Sequence, residues 1–308
     1  MIVTLAGGVG AARFLEGLIR VVPQREITII GNVGDDVEFY GLHVSPDLDI
    51  VTYTLAGMVD PERGWGFKGD TFYCQKALQR YGYKPWFNIG DQDLATHLYR
   101  TEQLRRGKRL STVTASIVTR LGLDVTLLPS TDDLLQTYVL VDRSRMHFQE
   151  YMVRLQTKPK VKSVFFKGSN SARPAPHVIQ SIREASEIII CPSNPIVSIG
   201  AVLAVKGIRG ALRETKASIL GISPIVGGKT VKGPADKLMR SLGIEVSAVG
   251  VATYYKEFLD TLIIDKVDAQ LAPQIRSLGI KPIVTQTLMK TMADKVHLAR
   301  RAISEFRH

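Results

Sequence analysis

Four aspartates lie close together early in the chain: Asp35 and Asp36 in Asn32-Val33-Gly34-Asp35-Asp36, and Asp47 and Asp49 in Ser45-Pro46-Asp47-Leu48-Asp49. Alternate carboxylates in an irregular segment can converge on one point. Hard oxygen ligands of that kind suit magnesium, which commonly bridges protein acids to substrate phosphates. The same residues also have a plainer use, because Asp47 or Asp49 could cap a helix beginning near Ile50. Asp91-Gln92-Asp93 and Thr131-Asp132-Asp133 repeat the pattern, and each could equally be a cap. His43, His97 and His147 match no metal-ligand spacing, so each taken singly reads as a hydrogen-bonded structural imidazole.

Three loops could receive an anion. Gly7-Gly8-Val9-Gly10 follows an apolar run and precedes a helix, the arrangement that offers bare N–H groups to phosphate. The dinucleotide fingerprint needs a third glycine where this chain has Arg13, and the next strand ends near Asn32 rather than at a ribose-binding acid. Phosphate or nucleotide therefore fits this loop better than NAD, with a plain tight turn as the alternative. Ser223-Pro-Ile-Val-Gly-Gly-Lys-Thr230 ends like a P-loop but begins with Ser, and Val231-Lys232-Gly233-Pro234 is a poor helix start, which excludes the ATPase motif. Gly227, Gly228 and Lys229 still offer phosphate contacts. In the third loop, Pro192-Ser193-Asn194-Pro195, Ser193 and Asn194 could bind a base or phosphate, or simply cap the next helix. There is no Gly-x-Ser-x-Gly elbow, and neither Cys74 nor Cys191 has a nucleophile's surroundings. Phosphate, metal and group transfer remain.

Positioning these loops requires strands. Ile2–Ala6, Ile27–Gly31, residues 187–191 and residues 218–223 read as buried strands. They alternate with helices expected over 11–21, around 199–205, near 235–242 and over 294–306. The pattern predicts a Rossmann-like α/β fold, a mostly parallel sheet with helices on both faces. Between about 137 and 168 it changes to alternating strand-like stretches, a small antiparallel insertion within one domain spanning 1–308.

With 308 residues and 45% hydrophobic content the chain can bury a large core, and its apolar runs are far below membrane-spanning length. Met1-Ile-Val-Thr-Leu-Ala6 lacks the basic start of a signal peptide, and two distant cysteines fit a reducing cytoplasm better than a disulfide framework or zinc site. The net charge of +11 is spread out, with short clusters at 100–109 and 158–162 and no aromatic–basic repeat. It reads as a solvated basic surface that favours anionic small substrates, rather than as a nucleic-acid footprint.

Eight segments together resemble the 2-phospho-L-lactate transferase family, the CofD/FbiA group. They are Gly7 to Phe14, Asn32 to Asp36, Ser45 to Asp49, Asp60 to Gly66, Gly90 to His97, His147 to Glu150, Pro192 to Gly200 and Ser223 to Gly228. They recur in that order from Val3 to about Tyr255, and the final fifty residues match less clearly. The resemblance implies a magnesium-dependent enzyme of coenzyme F-420 biosynthesis. Its donor is a guanosine diphosphate-activated phospholactate or the phosphoenolpyruvate-derived counterpart. The phospho-acid passes to the ribityl hydroxyl of the deazaflavin Fo, GMP leaves, and the enzyme is a homodimer.

By the same resemblance, Asp35 and Asp49 are the catalytic and metal-holding acids, and Asp49, Asn88 and His97 contact Fo. Gly7, Gly8, Gly10, Ser193 and Asn194 take the guanosine diphosphate portion, with Gly227 and Gly228 as further phosphate contacts. Arg63 ranks beside His97 in positioning Fo or phosphate. Some members carry a lysine where this chain has Asn88. Segments 7–14 and 60–66 lean toward the bacterial FbiA branch, while the transferred acid stays open between lactate, phosphoenolpyruvate and glycerate. A non-catalytic nucleotide- or flavin-binding regulator is the alternative reading.

Overall fold

A computed structural model describes residues 1–306. Seven strands form the main sheet: β1 Ile2–Ala6, β2 Ile27–Gly31, β3 Thr126–Pro129, β4 Glu187–Ile190, β5 Ser218–Ile222, β6 Thr261–Asp265 and β7 Lys281–Thr285. They lie in the order β7-β6-β5-β4-β1-β2-β3, and every pairing is parallel. Each residue of β1 and β2 is buried, as expected of central strands covered on both faces. The order runs outward from β1 to β3, then resumes on the other side of β1 with β4. That reversal opens a crevice beyond the carboxyl ends of β1 and β4, where sheets of this kind hold ligands.

The expected elements are present with shifted edges. The first helix spans Gly8–Leu18, so the glycine loop is its first turn. The segment before residue 200 winds as a π-helix, Pro195–Ile199, and continues as the helix Gly200–Ala204. The last helix, Met292–Ser304, starts with a capping box in which Thr291 and Asp294 satisfy each other's backbone N–H groups. It packs along the first helix so tightly that a Cβ on Gly17 would collide with the Lys295 backbone, and Lys295 pairs with Glu16.

The insertion is a three-stranded antiparallel sheet of Gln136–Val141, Ser144–His147 and Val161–Lys167 with the first strand central. Its Val139, Val141 and Val161 join the main core. The P-loop-like segment folds as a hairpin, Ile225–Val226 against Lys229–Thr230. Among the described residues no single helix is long and apolar enough to cross a membrane. The apolar pair 195–204 and 208–214 is bent by 88°, and most of 195–204 is buried in the core.

Candidate functional site

A cavity of about 510 Å³ lies at the sheet reversal. Its wall is built from the segments following β1 (Gly7, Gly8, Gly10), β2 (Asp35), β4 (Ser193, Asn194), β5 (Ser223, Pro224) and β7 (Thr287, Leu288, Met289). Asp47, Ile50, Trp65, Phe87, Asn88, Phe148, Gln149 and Met152 complete it from the connecting loops and the insertion. Five strand ends thus aim their loops at one space.

The glycine loop sits against the acids. A Cβ on Gly7 would lie 2.7 Å from Asp47 Oδ2, and one on Gly10 would strike the Pro192 carbonyl, so the β1 and β4 loops can approach only as glycine and bare backbone. Gly7 N–H donates to Ser193 Oγ at 3.3 Å, joining the two loops. Asn194 takes the capping role, its side-chain oxygen accepting from the N–H groups of Ile196 and Val197. Its NH₂ group is left for a ligand.

Asp35 and Asp47 are buried, yet both are on the cavity wall. Asn32 Nδ2 donates to Asp47 Oδ2 at 2.8 Å, and Gly8 N–H also reaches that carboxylate. Gln149 Nε2 donates to Asp35 Oδ2 at 3.1 Å, which leaves Asp35 Oδ1 without a partner. Burial, then the neighbouring charges of Asp47 and Asp36, push the Asp35 carboxyl well above the usual range. Burial above all, with the charge of Asp36, raises Asp47 to about 6, against the opposing hydrogen bond from Asn32. Asp36 Oδ2 is held by the Ser45 hydroxyl and the His43 ring. Asp35 and Asp36 each keep one buried oxygen without a partner, and with Asp47 beside them they are a donor set for a hard divalent ion.

Asp49 departs from expectation. Its helix begins at Pro46 rather than near Ile50, so Asp47 and Asp49 both occupy the first turn and neither is a cap. Two positions along a helix rotate the side chain by about 200°, so the pair points to opposite sides. Asp49 is off the cavity wall, gripped through both oxygens by the buried guanidinium of Arg100. His97 is in the same cluster and also off the wall. Its Nδ1 accepts from Arg100 at 3.2 Å and its Nε2 lies 3.2 Å from Asp93 Oδ1, which also receives the Tyr53 hydroxyl. Asp49, Asp93 and His97 offer atoms within 4.8 Å of one another and could hold a metal by distance. Arg100 grips Asp49 there, with burial raising the Asp49 carboxyl and Arg100 lowering it.

The remaining expected residues divide. Asn88 lines the cavity beside Phe87. Gly227 and Gly228 lie at the hairpin turn off the wall, and the Gly227 N–H is taken by both oxygens of Asp268. Residues 230–235, just beyond, form the wall instead. Arg63 pairs with Asp60 and stacks on Phe72 and Trp65, its guanidinium 5.1 and 5.9 Å from their rings. Asp47 was weighed only as a metal ligand or a cap, and Gln149, Asn32, Arg13 and Lys232 were not named as site residues from the sequence, although the first three of these lie within its landmark segments.

Comparison with known proteins supplies the family. The sequence model of 2-phospho-L-lactate transferase CofD matches residues 2–300. A Streptomyces coelicolor protein named phosphoenolpyruvate transferase is 43% identical over 98% of this chain and 97% of its own length. A Mycobacterium leprae protein of the same name is 38% identical over 96% and 97%. Among solved structures, a Bacillus halodurans protein of the UPF0052 family has a similar fold, with a TM-score of 0.63 at 15% identity over 98% of both chains. With the motif order, the fold and the full-length match in agreement, the chain belongs to the 2-phospho-L-lactate transferase family, CofD.

Proposed function

We propose that this chain transfers the phosphoenolpyruvyl form of the phospho-acid from a guanosine diphosphate-activated donor to the terminal ribityl hydroxyl of Fo, with GMP as the leaving group. The observation that carries the reading is the convergence of Asp35, Asp47 and the Gly7–Gly10 loop on one cavity whose other walls include Ile50, Trp65, Phe87 and Phe148. Acids and glycine backbone suit a diphosphate with its counter-ion, and the apolar side suits a flat deazaflavin. The name carried by the relatives at 38–43% identity supports the enolpyruvyl acid.

Asp35 fits magnesium through its unpaired, buried Oδ1, and with Asp47 beside it on the cavity wall would hold the ion. The ion would supply charge neutralisation at the phosphoryl oxygens. Asn32 and Gln149 fix the two carboxylates, so the chain need not order them during reaction. The Gly7–Gly10 backbone and Ser193 bind the diphosphate, and the Asn194 amide binds the nucleoside. The acceptor oxygen forms the new bond to the phosphorus bearing the acid, and the bond from that phosphorus to the GMP oxygen breaks. The hydroxyl proton is released to solvent as the new bond forms. Ile50, Phe148 and Met152 keep water from competing with Fo.

The test is incubation with Fo, magnesium and each activated donor (enolpyruvyl, lactyl, glyceryl), with the deazaflavin product identified by mass. A dehydro product formed fastest from the enolpyruvyl donor is expected. No deazaflavin product from any donor would overturn the reading.

A further inference from the structure

Arg13 and Lys232 both line the cavity and come from distant segments, the first helix and the stretch after the Ile225–Thr230 hairpin. Among the described residues neither side chain has a hydrogen bond or ion pair to any acid. Lys232 Nζ reaches across to the Asp60–Gly66 loop, where it would lie 3.2 Å from a Cβ on Gly64. Partial burial first, then the positive charge of Arg13, holds the Lys232 ammonium below the usual lysine range. Two like charges facing one cavity with no carboxylate paired to either repel, and that repulsion is relieved when an anion enters between them.

The phosphates of the proposed donor already have partners in the glycine loop, Ser193 and the cation-holding acids. One anionic group is left over. We propose that Arg13 and Lys232 form the subsite for the carboxylate of the transferred phospho-acid, and so select donors that carry a free acid; the proposal rests on the functional reading above. A guanidinium fork matches the two oxygens of a carboxylate, and the ammonium adds a movable point charge.

The test compares the enolpyruvyl donor with the same donor bearing a carboxamide, in the parent, Arg13→Gln, Lys232→Gln and the double variant. The parent is expected to lose about 10²-fold in kcat/KM with the carboxamide, the size of two lost charge-assisted hydrogen bonds. Each single variant should lose about tenfold or more with the acid donor, and the double variant should treat the two donors alike within about threefold. GDP affinity by calorimetry should stay within about twofold of the parent, because the phosphate contacts are elsewhere. Neither side chain has a partner within the protein, so circular dichroism should show all variants folded. Comparable use of acid and amide by the parent would overturn the subsite without any variant being needed. Loss of GDP affinity together with equal loss on both donors would reassign the two cations to the phosphates. Absence of transfer by the parent would remove the functional reading and this inference together.

Discussion

Asp47 and Asp49 leave the first turn of one helix in opposite directions. Asp47 meets the cavity and the Asn32 amide at 2.8 Å, and Asp49 meets the buried Arg100 guanidinium behind it. One acid can therefore serve the ligand while the other anchors the helix that carries it.

Asp47→Asn should lower turnover by about 10²–10³-fold, the usual cost of removing one preorganised charge from a transfer site. The Asn side chain keeps an oxygen for Asn32, and removing one of three clustered negative charges relieves repulsion with Asp35 and Asp36. The thermal midpoint should hold or rise. A variant with near-normal turnover would take Asp47 out of the site.

Arg100→Met should destabilise the fold by about 3–5 kcal/mol, because it strands the Asp49 carboxylate in the interior. Pairing it with Asp49→Asn removes that charge and should recover much of the loss. Urea denaturation of the two single variants and the double variant measures both terms. Equal, additive losses would show that the pair is not coupled.

Asp47 gives the metal-free protein a defined pH response. Its carboxyl is raised in the folded state to about 6 from the unfolded value of 3.8. Folding is therefore favoured by the protonated form, and the contribution is fully present below about pH 4 and lost as pH rises through 6. Magnesium, which needs the ionised pair, should raise the thermal midpoint more at pH 7.5 than at pH 5. A magnesium shift independent of pH over that range would separate the ion from these acids.

Gly10→Ala should cost about 1–3 kcal/mol or more, since the new methyl meets the Pro192 carbonyl rather than a flexible side chain. Relief requires the β1 and β4 loops to part, so nucleotide affinity should fall along with the melting temperature. Unchanged GDP binding in a folded variant would mean that the loop junction has no part in the site.

The central sheet and its glycine loop were legible in the sequence because β1, β2 and β4 are continuous apolar runs buried on both faces. The outer strand β7 was not, since Pro282 and the 41% exposed Val284 interrupt the run as an edge position allows. At the site, Asp35, Asn88, Ser193, Asn194, Gly7, Gly8 and Gly10 line the cavity, and Gly227 and Gly228 do not. The sequence put the start of this helix near Ile50, and the structure puts it at Pro46, with Asp49 beside Arg100 and off the cavity wall. Pro46 in the first turn marked that start and would have turned Asp47, not Asp49, inward. Arg100, which grips Asp49, lies 51 residues away and carries no local signal. Lone cations such as Arg13 and Lys232 look like ordinary surface charge until folding brings them to one wall.

The last helix lies along the first, with Lys295 joined to Glu16 across 279 residues. On the ribosome, the glycine loop is made among the first residues and its supporting helix close to the last. The nascent chain thus carries the Glu16–Gly17 face of its first helix without the neighbour it packs on through almost the whole of translation. A chain stopped before residue 292 would keep every cavity-lining residue and still leave the glycine turn without the helix that braces it.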